Sequence, residues 1–171
     1  DFGLGFPVRV MDGSAVNQEE PADFYTPELQ ETFKDYNDVA IVVFAREASE
    51  GNDLNMVDTD GRSSLALHQN EEDLLEMVKN AGFKKIIVLL NSPYQMELEW
   101  LDKYNVDACL LIGAVGSQGF RGVSSILTGE TNPSGHLVDT YAANSLSAPA
   151  CVNSGTETPK YENAEAIGAE I

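Results

Sequence analysis

The chain is poor in the residues that bind metals, staple small folds or grip phosphate. Its 171 residues include two cysteines, Cys109 and Cys151, and two histidines, His68 and His136. Two cysteines can close one bridge at most, and no Cys/His cluster has the spacing of a metal site. Cys109 stands in an apolar run and reads as a buried thiol. Neither metal nor cofactor is expected. Basic residues are scarce too, with 10 Lys and Arg against 28 Asp and Glu, a formal net charge of −18. Nucleic-acid recognition rests on clustered Lys and Arg, so nucleic acid is not an expected partner. No stretch approaches the roughly 20 consecutive apolar residues of a membrane-crossing helix, so no membrane partner is expected either. An acidic surface of this kind suits neutral ligands, sugars among them. Hydrophobic residues make up 43% of the chain, enough at this length to bury one core without staples.

Three regions follow from the pattern of apolar residues. Residues 1–25 carry glycines, prolines and acids without a clear period and read as an irregular entry segment. Residues 26–150 alternate helix and strand signals. Residues 151–171 form an acidic tail. Within the middle region, Thr26 caps a helix with Pro27 at its first position and Leu29, Phe33 and Tyr36 at helical spacing. Val39 to Phe44 is a continuous β-branched and aromatic run, the pattern of a strand buried on both faces. Asn70 reads as the cap of a second helix, with Glu71, Glu72 and Asp73 in its positive first turn and Leu74, Leu75, Val78 and Ala81 on its apolar stripe; Gly82 stops it. Ile86–Leu90 is the second strand. A helix through Met96, Leu98 and Leu101 follows, with Trp100 facing the core rather than a sugar. Ala108–Ile112 is the third strand. Gly113, Gly116 and Gly119 lead into a helix bearing Phe120, Val123, Ile126 and Leu127, and His136–Tyr141 reads as a last strand at the sheet edge.

Short, doubly apolar strands alternating with helices predict an α/β layered fold with a mainly parallel sheet. In such sheets the functional loops leave the carboxyl ends of the strands. Those loops are Ala45–Gln69, Asn91–Tyr94 and Gly113–Gly119. The first is much the longest, and loops beyond about 12–15 residues in a compact domain are usually functional or disordered. It opens on Arg46, Glu47, Glu50, Gly51 and Asp53. Taken alone this is a charged loop, and most charged loops are simply solvated. The glycine after Glu50 adds close backbone access to a ligand. A receiver or nucleotide-binding domain needs an Asp cluster or a Gly-rich phosphate loop after its first strand, and neither is present.

Four blocks of sequence together resemble one family. The first is a strand followed by Arg46, Glu50, Gly51 and Asp53. Lys85–Pro93, with its Asn91-Ser92-Pro93 turn, is the second, and the strand Asp107–Leu111 the third. Last comes Ile126–Tyr141, containing Gly129 and Asn132-Pro133-Ser134-Gly135. In this order and spacing they resemble the C-terminal α/β sandwich domain of glycoside hydrolase family 3, the β-glucosidases among them. The resemblance implies a three-layer sandwich with a mainly parallel sheet and flavodoxin-like layering, only part of which this chain carries. It implies retaining hydrolysis of a terminal β-linked sugar, with Glu50 as general acid/base and Arg46 and Asp53 as substrate-binding residues. It also implies a TIM-like barrel domain in the same parent chain, which supplies the nucleophilic carboxylate and most sugar contacts. A β-linked oligosaccharide or glycoside is the expected ligand. Ser49, Leu54, Ser117 and Gln118 depart from the family pattern around these positions. The alternative is a non-catalytic carbohydrate-binding or domain-packing module with the same fold.

Overall fold

The computed structural model describes residues 19–46, 54 and 61–145. Most of the entry segment, much of the first long loop and the whole acidic tail lie outside these residues. A 3-10 turn, Ala22–Phe24, precedes a short helix α1, Pro27–Glu31. The Thr26 hydroxyl accepts the Leu29 N–H at 3.3 Å, and Pro27 stands at the first helical position as the sequence predicts. A second 3-10 turn, Thr32–Tyr36, carries the chain to strand β1, Ala40–Ala45. Helix α2 is Gln69–Asn80, strand β2 Ile86–Asn91, helix α3 Trp100–Lys103, strand β3 Ala108–Leu111 and helix α4 Gly116–Leu127.

The three strands form one parallel sheet in the order β1-β2-β3. Parallel neighbours need crossover connections, and in almost all folds these are right-handed. A sheet that grows in one direction by same-handed crossovers places its connecting helices on one face. The core follows that rule. Ala40, Val42 and Phe44 of β1 and Ile86, Val88 and Leu90 of β2 pack in one cluster with Leu74, Leu75 and Val78 of α2 and with Trp100 of α3. Gly82, at φ +83°, ends the chain's path out of α2 in the left-handed conformation glycine favours.

Four local expectations need correction. Strand β1 is buried on one face only: Ile41 and Val43 remain 50% and 44% exposed, because both crossover helices lie on the opposite side. The cap of α2 is His68, not Asn70; the Asn70 side-chain amide donates instead to the Glu19 carbonyl at 2.9 Å. The expected helix through Met96 and Leu98 is confined to Trp100–Lys103, since Glu97 N–H bonds the Leu65 carbonyl and Leu98 N–H the Ala142 carbonyl. Those tertiary bonds replace the helical ladder. Residues 136–141 form no strand, and Val138 is 91% exposed.

Candidate functional site at the carboxyl ends of the strands

Parallel pairing fixes where the loops emerge. Ala45 is in register with Asn91, and Leu90 with Leu111, so the three candidate loops leave one edge of the sheet together. In the middle loop the Ser92 hydroxyl accepts the Tyr94 N–H at 2.9 Å and donates to its carbonyl at 3.0 Å, closing a tight turn around Pro93. In the third loop Gly113 and Gly116 take φ values of +60° and +61°. The N–H groups of Ile112 and Gly113 both bond the Leu90 carbonyl, at 3.0 and 3.2 Å, holding this loop against the end of β2.

Of the expected site residues, Arg46 is described; Glu50 and Asp53 lie outside the described residues, as does Glu47. Arg46 follows β1 directly and is 4% exposed. A guanidinium carries five N–H donors and no acceptor, and here each has a partner inside the chain. Nε donates to the Ser64 carbonyl at 2.8 Å, Nη1 to the Ala45 carbonyl at 2.7 Å and Nη2 to the Ala66 carbonyl at 2.7 Å. Nη1 and Nη2 also bond Oε1 and Oε2 of Glu71, each at 2.7 Å, as a bidentate fork. The Glu71 side chain is itself 3% exposed. Its Oε2 accepts the His68 N–H at 2.8 Å, so one carboxylate serves both the guanidinium and the start of α2. A guanidinium bound in this way can reach a sugar hydroxyl only by giving up one of these bonds.

A second tie holds the returning end of the long loop. Ser63 and Ser145, both buried, approach hydroxyl to hydroxyl at 3.0 Å. The Ser145 N–H donates to Oε1 of Glu97 at 2.8 Å, and its hydroxyl donates to the same oxygen. Sequence reasoning missed Glu71, Ser63, Glu97 and Ser145. Glu71 read simply as an acid favoured in a first turn, and nothing in local periodicity links it to an arginine 25 residues earlier. A cleft of about 660 Å³ opens beside this region between α2 and α3, lined by Leu67, Glu72, Glu97, Trp100, Asp102 and Lys103 among others. Trp100 is 6% exposed and gives this cleft no open stacking face. Half-buried Cys109 has its thiol pushed up to about 11 by burial, so it stays protonated near neutral pH and is a weak nucleophile. No group of three or more metal-ligating side chains occurs among the described residues.

Known proteins fit this geometry. The Glycosyl hydrolase family 3 C-terminal domain profile matches residues 23–168. A β-glucosidase of Ruminococcus albus is 30% identical over 106 residues, covering 62% of this chain and 11% of that protein. Thermostable beta-glucosidase B of Acetivibrio thermocellus is 31% identical over 108 residues, covering 62% of this chain and 14% of that protein. A solved β-glucosidase structure from Paenibacillus barengoltzii superposes with a TM-score of 0.68 at 30% identity, covering 82% of this chain and 15% of that one. The chain therefore spans between 11% and 15% of the length of these relatives. The matched profile takes in the strands, the long loop and Asn132–Gly135 alike, and this chain belongs to the glycosyl hydrolase family 3 C-terminal domain family.

Proposed function

We propose that this domain serves a retaining β-glucosidase-like hydrolase and contributes its general acid/base, Glu50. The observation that carries the proposal is the family match across residues 23–168, which spans Glu50 and the strand that leads to it. The register of the three parallel strands supports it, because that register gathers the starts of all three loops at one edge of the sheet.

In this reading a carboxylate on a barrel domain of the parent chain attacks the anomeric carbon while Glu50 protonates the departing glycosidic oxygen. Retaining enzymes hold the two carboxyls about 5–5.5 Å apart. Glu50, now ionised, then takes a proton from water as that water attacks the glycosyl-enzyme and frees the nucleophile. Asp53 accepts hydrogen bonds from sugar hydroxyls. Arg46, which the resemblance implies as a substrate-binding residue, has its donors committed inside the chain, and in this reading it holds the backbone around the site.

The test is Glu50→Ala in the full-length protein. Loss of a positioned acid typically costs about 10²–10⁴-fold, and that loss is expected for glycosides with poor leaving groups. An activated aryl glycoside needs little protonation and loses less in its first step. Azide, which needs no general base, partly restores the second step. An unchanged rate on alkyl β-glucosides would leave the domain as a non-catalytic packing or sugar-binding module.

A further inference from the structure

We propose that Arg46 and Glu71 are positioning residues for the reaction: a buried ion pair that fixes both roots of the loop carrying Glu50. The inference rests on the acid/base reading of Glu50 and goes one step beyond it.

The guanidinium selects carbonyls on both sides of the loop. Ala45 lies on the outgoing side of the loop, and Ser64 and Ala66 lie on the returning side. One rigid, planar group thus binds the two ends of an intervening segment to each other. The fork to Glu71 then fastens that group to the first turn of α2, whose Leu74, Leu75 and Val78 are locked in the core. The root of the loop is therefore tied to the sheet through β1 and to the helical layer through α2. The Ser63–Ser145–Glu97 bonds add a second tie on the returning side.

Chain geometry connects this anchor to the chemistry. Glu50 is four residues beyond Arg46 in the sequence. On the acid/base reading, the pair fixes the two points between which the segment bearing that carboxyl is held. Misplacing a reacting group by about 1 Å can cost on the order of 10²-fold. Lysine does not substitute for this arginine, because an ammonium has neither the fork nor the five donors. Removing either partner leaves the other buried and unpaired, so the pair must be tested in a form that still folds.

The experiment uses the full-length protein and reads kcat/KM, which reports the glycosylation step, on two β-glucosides. One has an alkyl leaving group, the other 2,4-dinitrophenolate. Arg46→Lys and Glu71→Gln are compared with Arg46→Met/Glu71→Leu, since apolar replacement of a whole buried pair is often neutral for stability. Near-UV circular dichroism and a thermal melt establish the folded fraction. The expected result, per folded enzyme, is a loss of about 10-fold or more on the alkyl glucoside and under about 3-fold on the dinitrophenyl glucoside, in at least the double variant. That imbalance marks a displaced acid. Equal loss on both substrates, or no loss in the folded double variant, overturns the proposal and leaves the pair a stabilising contact. Glu50→Ala is run alongside: if it shows no leaving-group dependence, the acid/base reading has failed; if it does and the pair variants do not, the positioning role alone has failed.

Discussion

Phe44 and Trp100 meet edge to face, their ring centroids 5.8 Å apart and their planes at 84°. Phe44 is the buried residue of β1 nearest the long loop, and Trp100 opens α3 while its indole N–H donates to the Glu97 carbonyl. The contact therefore joins the strand that leads into Arg46 to the segment that receives the loop's return. Edge-to-face geometry is favoured by the ring quadrupoles, beyond the apolar area it buries.

Phe44 is 1% exposed, so Phe44→Ala removes a ring from a site with little room to collapse. The expected cost is about 3–5 kcal/mol, read from denaturant midpoints at unchanged slope. Phe44→Leu keeps most of the volume and is expected to cost clearly less. Equal costs for the two would show that the ring is not packed as described.

Gly82 offers a backbone test. Its φ of +83° lies in the left-handed region, and a Cβ added there would meet nothing within 4 Å. Any cost of Gly82→Ala thus comes from conformation and not from collision, and it is expected at about 1–2 kcal/mol. Gly82→Asn, a residue that tolerates this region better, is expected to lose less in the same melt.

Much of this fold was legible in the sequence. Thr26 and Pro27 mark a helix start, Gly82 a helix stop, and Leu74, Leu75 and Val78 a buried stripe, because each signal depends on contacts within a few residues. Legibility failed where distant backbone competes. Met96 is fully buried yet not helical, since its neighbours Glu97 and Leu98 give their N–H groups to Leu65 and Ala142. His136–Tyr141 has apolar residues but finds no sheet edge. Of the candidate site, the position of Arg46 at a strand end was readable, while its partner Glu71 depends on how α2 lies across the sheet.

Asp107 should make stability depend on pH in the acid range. Its Oδ1 pairs with Lys85 Nζ at 2.6 Å and its Oδ2 accepts the Ile86 N–H at 2.9 Å, joining the starts of β2 and β3. The bond from Lys85, followed by that from the Ile86 N–H, holds the carboxyl below its usual value. A depressed folded-state value stabilises the fold above the unfolded pKa of about 3.9, and the contribution disappears as pH falls through the folded value. Asp107→Asn is therefore expected to melt slightly below wild type at pH 7, with the gap closing as pH falls through the folded value and shrinking in high salt. A gap that does not change with pH would assign it to packing and not to charge.

The purified 171-residue chain is expected to be inactive on aryl β-glucosides, even activated ones. Retaining hydrolysis needs two carboxyls, one as nucleophile and one as acid/base, about 5–5.5 Å apart across a bound sugar. On the proposed reading this chain supplies the second and the barrel domain the first, together with most of the sugar pocket. Glu47 stands close to Glu50 in sequence, but a neighbouring carboxylate without a pocket to orient the anomeric carbon lacks the positioning that makes attack fast. The check is a dinitrophenyl β-glucoside assay on pure chain beside its Glu50→Ala variant. Release at the buffer rate by both is the expected result. Turnover by the pure chain above the buffer rate would mean that this chain holds a complete site, and the division of labour between two domains would be wrong.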